Sequence, residues 1–165
     1  MNKLSTRAAL AADGESIARI YNHYIQNTVI TFEEEPVSAQ TMVARVAEVQ
    51  GAGLPWLVAD LDAEVAGFAY ANKWKARSAY RHTVETTIYL APGREGQGIG
   101  TRLYGELLPI LRTAGIHVAI GGAALPNEAS AALHERLGFE HVATFRQVGF
   151  KQDKWVDVAY WQIVL

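Results

Sequence analysis

From Asp13 onward, Ile17, Ile20, Tyr21, Tyr24 and Ile25 recur at helical spacing, which predicts a first helix with Asp13 as its N-cap. A loop over residues 27–36 follows, carrying Phe32 and the acidic run Glu33, Glu34, Glu35; Ser38 then opens a second helical stretch that stops before Gly51. Residues 55–61 and 65–74 read as two strands about a turn at Asp62. Strict alternation over residues 83–90 sets Val84, Thr86, Ile88 and Leu90 on one face of a strand, and Thr83, Glu85, Thr87 and Tyr89 on the other. A glycine-rich turn leads into a helix over residues 101–114, with Leu103, Leu107, Ile110 and Leu111 on one face and a stop at Gly115. Pro109 lies inside it and is expected to kink it. A short strand over 117–120, a helix capped by Asn127 and ending at Leu137-Gly138, and a last strand over 156–164 complete the succession. This order predicts an α/β fold with a mixed sheet, undivided by repeats or linkers.

Composition narrows the function classes. A chain of 165 residues has the size of a single domain, 1–165, and with 50% apolar residues it is too hydrophobic to remain disordered. Fifteen Lys plus Arg against 17 Asp plus Glu leave a net charge of -2, so no footprint for nucleic acid or an anionic membrane is visible. Any anionic ligand must be met locally. The absence of cysteine excludes a thiolate metal site and an acyl-cysteine route, and fits a reducing compartment. The longest uncharged stretch, residues 113–127, is too short and too broken by Gly and Pro to span a bilayer, and the apolar run over 8–12 is too short for a signal-peptide core. A soluble, cytoplasmic protein is expected.

The segment Arg94-Glu95-Gly96-Gln97-Gly98-Ile99-Gly100-Thr101 lies between a predicted strand and a predicted helix, so N–H groups at the helix start can converge on an anion such as phosphate. Alternate glycines permit positive φ and close backbone approach, although by themselves they equally describe a tight turn. A P-loop would end in Gly-Lys-Ser/Thr, and a dinucleotide fingerprint would carry Gly at position 101, which is Thr. With the downstream run Asn127-Glu-Ala-Ser-Ala-Ala-Leu-His-Glu-Arg-Leu-Gly-Phe139, the turn resembles that of the GCN5-related N-acetyltransferases (GNAT), which grip the pyrophosphate of acetyl-CoA at a Gln/Arg-x-x-Gly-x-Gly/Ala turn. Within that superfamily the chain is most similar to the phosphinothricin and methionine sulfoximine N-acetyltransferases. Tyr21-Asn22-His23-Tyr24-Ile25, Pro55-Trp56-Leu57-Val58-Ala59, Trp74-Lys75-Ala76-Arg77-Ser78-Ala79-Tyr80, Thr83-Val84-Glu85 and Lys154-Trp155-Val156-Asp157-Val158 carry that likeness.

The resemblance implies the GNAT fold, a mixed, mostly antiparallel sheet flanked by helices, with acetyl-CoA as cosubstrate and no metal. It implies that Gly96, Gln97, Gly98, Ile99, Gly100 and Thr101 hold the pyrophosphate, while Asn127 and the backbone of Ile88 and Leu90 meet the pantetheine arm and thioester. Glu95 stands where the family has Gln or Arg. An acid repels a pyrophosphate, so Glu95 is expected to turn away and leave the holding to Arg94 or the backbone.

Moving acetyl from a thioester to an amine requires a deprotonated amine, a stabilised oxyanion and a proton for the departing thiolate. An α-ammonium is mostly protonated at neutral pH, so a base or a water chain must act on it. The resemblance gives Glu85 that role; taken alone, Glu85 reads equally as a solvated strand-face acid. It gives His134 the role of a second acid/base group, where a lone helix histidine is ordinarily a surface residue. Lys75 and Arg77, two apart on a predicted strand face and followed by Tyr80, form a cationic element able to meet a carboxylate or phosphinate. The resemblance adds Phe32 and implies that Phe32, Lys75, Arg77 and Tyr80 line a pocket for a small anionic amino acid. Glu33, Glu34 and Glu35 read as a solvated loop, one member of which could meet the substrate ammonium. His23, His82, His117 and His141 show no metal-ligand spacing.

These readings lead to an expected N-acetyltransferase that moves acetyl from acetyl-CoA to a small amino acid such as phosphinothricin or methionine sulfoximine, by direct transfer in a ternary complex. The family resemblance implies a homodimer, and neither nucleic acid nor membrane is expected as a partner. Two alternatives stay open: a non-catalytic acyl-CoA-binding regulatory domain, and an acetyltransferase for protein N-termini or lysines with a long open groove.

Overall fold

The computed structural model describes residues 3–165. Its elements run β1 (Leu4–Ala8), α1 (Gly14–Asn27), α2 (Ala39–Gly51), β2 (Trp56–Leu61), β3 (Glu64–Lys73), β4 (Thr83–Leu90), α3 (Ile99–Thr113), β5 (Val118–Ala124), α4 (Glu128–Arg136), β6 (Glu140–Lys151) and β7 (Lys154–Val164). The seven strands form one sheet in the order β1-β2-β3-β4-β5-β7-β6. Only β4 and β5 run parallel; every other neighbouring pair is antiparallel.

The predicted alternation of β4 holds, and both faces of the sheet are covered. Val84 and Thr86 are buried on the side of α3, among Leu103, Tyr104, Leu107 and Leu111. On the other side Ile17, Ile20, Ile25, Met42 and Val46 of α1 and α2 pack on Trp56, Val58 and Phe68, with Tyr89 at the edge of that layer. Helices therefore sandwich the sheet, as amphipathic helices on a two-sided sheet require. Among the described residues no helix is long and apolar enough to cross a membrane.

Local chemistry explains most boundaries. Ser38 Oγ accepts from Thr41 N at 3.0 Å and Asn127 Oδ1 from Ser130 N at 3.1 Å, capping α2 and α4 as predicted. Asp62 and Ala63 both take positive φ, which suits the two-residue β2–β3 hairpin. Asp13 differs from expectation: it makes no side-chain cap bond to α1, because Arg7 takes both of its oxygens at 2.7 and 2.9 Å. That bidentate guanidinium–carboxylate pair, joined by Leu10 N donating to Oδ2 at 2.7 Å, uses the carboxylate on the side of β1 in place of a bond to the helix N–H groups. Helix α3 continues past Pro109 to Thr113, without the break that a proline threatens.

Two strands, β1 and β6, stand outside the predicted elements. β1 is a five-residue edge strand, and β6 breaks its alternation with register shifts at His141/Ala143 and Phe145/Gly149 and a positive φ at Gln147. Neither offers the sustained period-two pattern from which a strand is read.

Candidate active site

The site begins where a ladder stops. β4 and β5 pair from Thr83↔Val118 to Thr86↔Gly121, yet β4 runs on to Leu90 and β5 to Ala124. Beyond Thr86 the strands part around a cavity of about 280 Å³ lined by Ile88, Leu90, Gly122, Asn127, Leu133 and His134 among others. Backbone groups facing this gap have no strand to bond on that side, and buried backbone groups need partners. An extended amide-bearing ligand between the strands would supply them.

The glycine turn follows directly. Gly96 and Gly98 take φ of +73° and +79°, a region that glycine enters without a Cβ penalty. Gly98 is the N-cap of α3, so the helix starts at Ile99, two residues before the predicted start. The first intrahelical bond is Arg102 N to Gly98 O at 3.0 Å, which leaves the N–H groups of Ile99, Gly100 and Thr101 at the open helix end. A Cβ on Gly100 would fall 3.0 Å from Leu133 and 3.4 Å from Ile88, so its absence seats α3 against α4 and β4. Gln97 lies over the turn, its amide donating to Gly93 O at 3.2 Å.

One expectation is corrected here, and of the two holders expected at the turn, Arg94 and the backbone, the backbone is the one left. Glu95 does not turn away: it lines the cavity, and its charge helps push the Tyr24 phenol pKa up. Arg94 is directed to Glu64, 3.7 Å away, so the main-chain N–H groups are the donors left facing an anion at the turn. The Leu90 carbonyl already accepts from Tyr24 Oη at 2.7 Å, which takes one of its two lone pairs.

Glu85 and His134 approach the gap from opposite faces of the sheet. Glu85 is half-buried on β4 and pairs across the sheet with Asn72. Burial pushes its carboxyl pKa up, partly offset by the positive charge of Lys75. His134 is buried on α4, its ring stacked on Trp161 at 5.6 Å and edge-on to Phe139 at 5.0 Å. Nδ1 lies 2.7 Å from the Ser130 carbonyl, which fixes the ring proton on Nδ1 and leaves Nε2 as a lone-pair acceptor. Nε2 is buried and has no hydrogen-bond partner among the described residues, and burial lowers the imidazole pKa.

The glycine pair of β5 makes room for both groups. A Cβ on Gly121 would fall 2.1 Å from His134 Nε2, and one on Gly122 would fall 2.9 Å from the Tyr160 ring and 3.6 Å from Glu85 Oε1. Sequence reasoning missed these two residues as well as Tyr160. A Gly-Gly pair inside a strand was the available signal, since strand glycines mark close approach.

Phe32, Lys75, Arg77 and Tyr80 gather less tightly. Lys75 and Arg77 do not lie on a strand: β3 ends at Lys73, and β4, which pairs with it, begins at Thr83, so no partner remains to extend the ladder. Lys75 instead stands over the Trp74 ring, 4.9 Å from its centroid, and the Trp74 ring lies edge-on to Tyr160 at 5.7 Å. Arg77 is exposed and precedes a 3-10 turn, Ser78–Tyr80, whose Tyr80 is also exposed. Phe32 lies on the α1–α2 loop, partly exposed, against Gly149. Glu33 is not simply solvated: Arg45 grips it with bonds of 2.8 and 2.6 Å, and Tyr21 Oη donates to it, which holds its carboxyl pKa down. Among the described residues no three His, Asp or Glu side chains cluster as a metal site would require.

Comparison with known proteins agrees with this geometry. The acetyltransferase (GNAT) domain family matches residues 6–160. A phosphinothricin N-acetyltransferase of Streptomyces viridochromogenes is 40% identical over 156 residues, covering 94% of this chain and 85% of that protein. The L-amino acid N-acyltransferase MnaT of Escherichia coli is 36% identical over 162 residues, covering 98% and 94%. The structure of a Sinorhizobium meliloti phosphinothricin acetyltransferase in complex with acetyl-CoA superposes with a TM-score of 0.94 at 39% identity, covering 98% of this chain and 88% of that one. A mixed sheet that parts between its two parallel strands, a glycine turn opening a helix at that parting, and these relatives together make the chain a member of the GNAT family of acetyltransferases.

Proposed function

We propose that residues 1–165 act as a single N-acetyltransferase domain that moves the acetyl group of acetyl-CoA directly to the α-amino group of a small amino acid in a ternary complex. Acetyl-CoA supplies an activated acetyl thioester. Phosphinothricin and methionine sulfoximine represent the acceptor class, in keeping with the names of the similar proteins. The parting of β4 and β5 with Glu85 and His134 on its two faces is the observation that carries this reading.

The turn over Gly96, Gln97, Gly98, Ile99, Gly100 and Thr101 receives the pyrophosphate on its main-chain N–H groups. Asn127 and the backbone of Ile88 and Leu90 hold the pantetheine arm, and a strand N–H stabilises the carbonyl oxygen as it gains charge. Glu85, through water, takes a proton from the acceptor ammonium; its raised pKa brings it nearer to the amine and makes that transfer more favourable. His134 takes on Nε2 the proton that the amine sheds on attack and returns it to the departing CoA thiolate. Phe32, Lys75, Arg77 and Tyr80 surround the acceptor, with the two cations meeting its carboxylate or phosphinate.

The protein works in the cytoplasm as a homodimer. Val142, Phe145, Val148 and Phe150 of edge strand β6, with Trp155 of β7, are exposed apolar side chains and support the pairing of two copies.

An acceptor screen tests the activity: thiol release from acetyl-CoA is followed with amino acids and with peptides. High kcat/KM for phosphinothricin or methionine sulfoximine is expected. Turnover with peptides alone, or acetyl-CoA binding without thiol release for any acceptor, would overturn it.

A further inference from the structure

The end of β6 meets the α1–α2 loop through two alternate residues. Lys151 Nζ donates to the Thr31 carbonyl at 2.8 Å, joining positions 120 apart in the chain. Lys151 is only 4% exposed. Lysine is rarely buried this far without a partner, and here the partner is a main-chain carbonyl. Burial lowers its pKa, with the charge of Glu34 opposing. Gly149, two residues earlier and so on the same face of β6, receives the Phe32 ring: a Cβ there would fall 2.2 to 2.8 Å from three ring atoms. Adjacent loop residues, Thr31 and Phe32, thus rest on Lys151 and Gly149.

The other anchors of this loop come from the helices. Tyr21 Oη bonds Thr31 Oγ1 at 2.8 Å, Asn22 exchanges two 2.8 Å bonds with Val37, and Arg45 grips Glu33. They fix side chains and the far end of the loop, whereas Lys151 takes hold of the main chain immediately before Phe32, from the sheet side.

We infer that Lys151 is a positioning residue for the acceptor: by holding the Thr31 carbonyl it seats Phe32 on Gly149 and so fixes the wall that Phe32 presents to the acceptor side chain. This rests on the reading that Phe32 lines the acceptor pocket. Lys151 itself touches neither the acceptor nor the reacting atoms.

The test compares Lys151→Met, which keeps an apolar stem but removes the donor, with Gly149→Ala and Phe32→Ala. Lys151→Met is expected to raise the acceptor KM about tenfold, with kcat changed less than about threefold and acetyl-CoA affinity by calorimetry unchanged. Amide hydrogen exchange across residues 28–36 should quicken about tenfold in the same variant, and Lys151→Arg, which restores a donor, should recover part of both effects. Unchanged exchange in that loop overturns the inference, as does an unchanged acceptor KM in Lys151→Met when Phe32→Ala raises it. If Phe32→Ala leaves the acceptor KM unmoved, the pocket reading of Phe32 fails and the positioning role fails with it, while the exchange rates separately report whether Lys151 holds the loop. Should Lys151→Met not fold, Gly149→Ala decides: it displaces Phe32 with Lys151 intact, and a wild-type acceptor KM in it overturns the inference.

Discussion

Glu85 and His134 address one strand from opposite faces of the sheet, each beside one of two consecutive glycines: His134 Nε2 lies 2.1 Å from where a Cβ on Gly121 would be, and Glu85 Oε1 lies 3.6 Å from where one on Gly122 would be. In a closed sheet, groups so placed would be separated by the backbone. Here β4 and β5 cease to pair after Thr86 and Gly121, so one gap is open to both.

The two glycines should respond differently to a methyl group. Gly121→Ala forces the buried imidazole to move and should cost on the order of 1–3 kcal/mol in thermal or denaturant unfolding. Gly122→Ala presses on the half-exposed Tyr160 ring and the Glu85 carboxylate, so turnover should fall with a smaller loss of stability. Equal stability losses for the two variants would contradict this account.

Replacing Glu85 by Gln should lower turnover on the order of 10² to 10⁴ while acetyl-CoA still binds. In the role proposed for Glu85 the active form is the carboxylate, and burial raises its pKa, so kcat/KM should rise with pH along a limb above the ordinary glutamate range. Lys75 opposes that rise. Lys75→Ala should therefore move the limb to higher pH, and a limb that stays in place would separate Lys75 from Glu85.

His134→Phe keeps an aromatic ring against Trp161 and removes Nε2. Turnover is expected to fall on the order of tenfold to 10²-fold, less than for the loss of the principal base, with the melting temperature little changed. Wild-type turnover in this variant would limit His134 to packing.

Gly98 caps α3 at φ +79° with open space where a Cβ would lie, so Gly98→Ala meets no clash and bears only a conformational cost of about 1 kcal/mol. Because that strain falls on the turn proposed to receive the pyrophosphate, the acetyl-CoA Kd should rise about fivefold, and calorimetry would read it. An unchanged Kd would mean that the turn does not hold the coenzyme.

Arg7 joins Asp13 to Asp60 and holds the Asp13 carboxyl pKa below its usual value. A lowered carboxylate pKa stabilises the fold fully above the unfolded-state value, and that contribution is lost as pH falls through the folded-state value. Asp13→Asn should then cost about 1 kcal/mol near neutral pH, a figure kept small because Arg7 is partly exposed, and the gap from wild type should close in acid. A gap independent of pH, followed by urea unfolding, would assign the loss to packing instead.

The period-two pattern of residues 83–90 settled which β4 side chains share a face, because a strand has no other way to divide them. The glycine turn, the caps at Ser38 and Asn127 and the β2–β3 turn were also legible, since each depends on residues a few positions apart. The local pattern predicts a strand ending at Ile120, but β5 continues through Gly121 and Gly122 to Ala124: low strand propensity is overridden there by pairing with β7. The spacing of Lys75 and Arg77 predicts a strand face, but they lie beyond the end of β3, where β4 offers no partner to extend it.

By itself the sequence determined the order of elements, the cofactor-type turn and the residue types available for proton transfer, all of which follow from local spacing and chemistry. Tertiary structure alone decided that β4 and β5 part after Thr86, that Glu85 and His134 stand on the two faces of that gap, and that Lys151 reaches Thr31 across 120 positions. Such relations depend on strand order and on which buried groups find partners, and no local pattern encodes the distance between segments that only folding brings together.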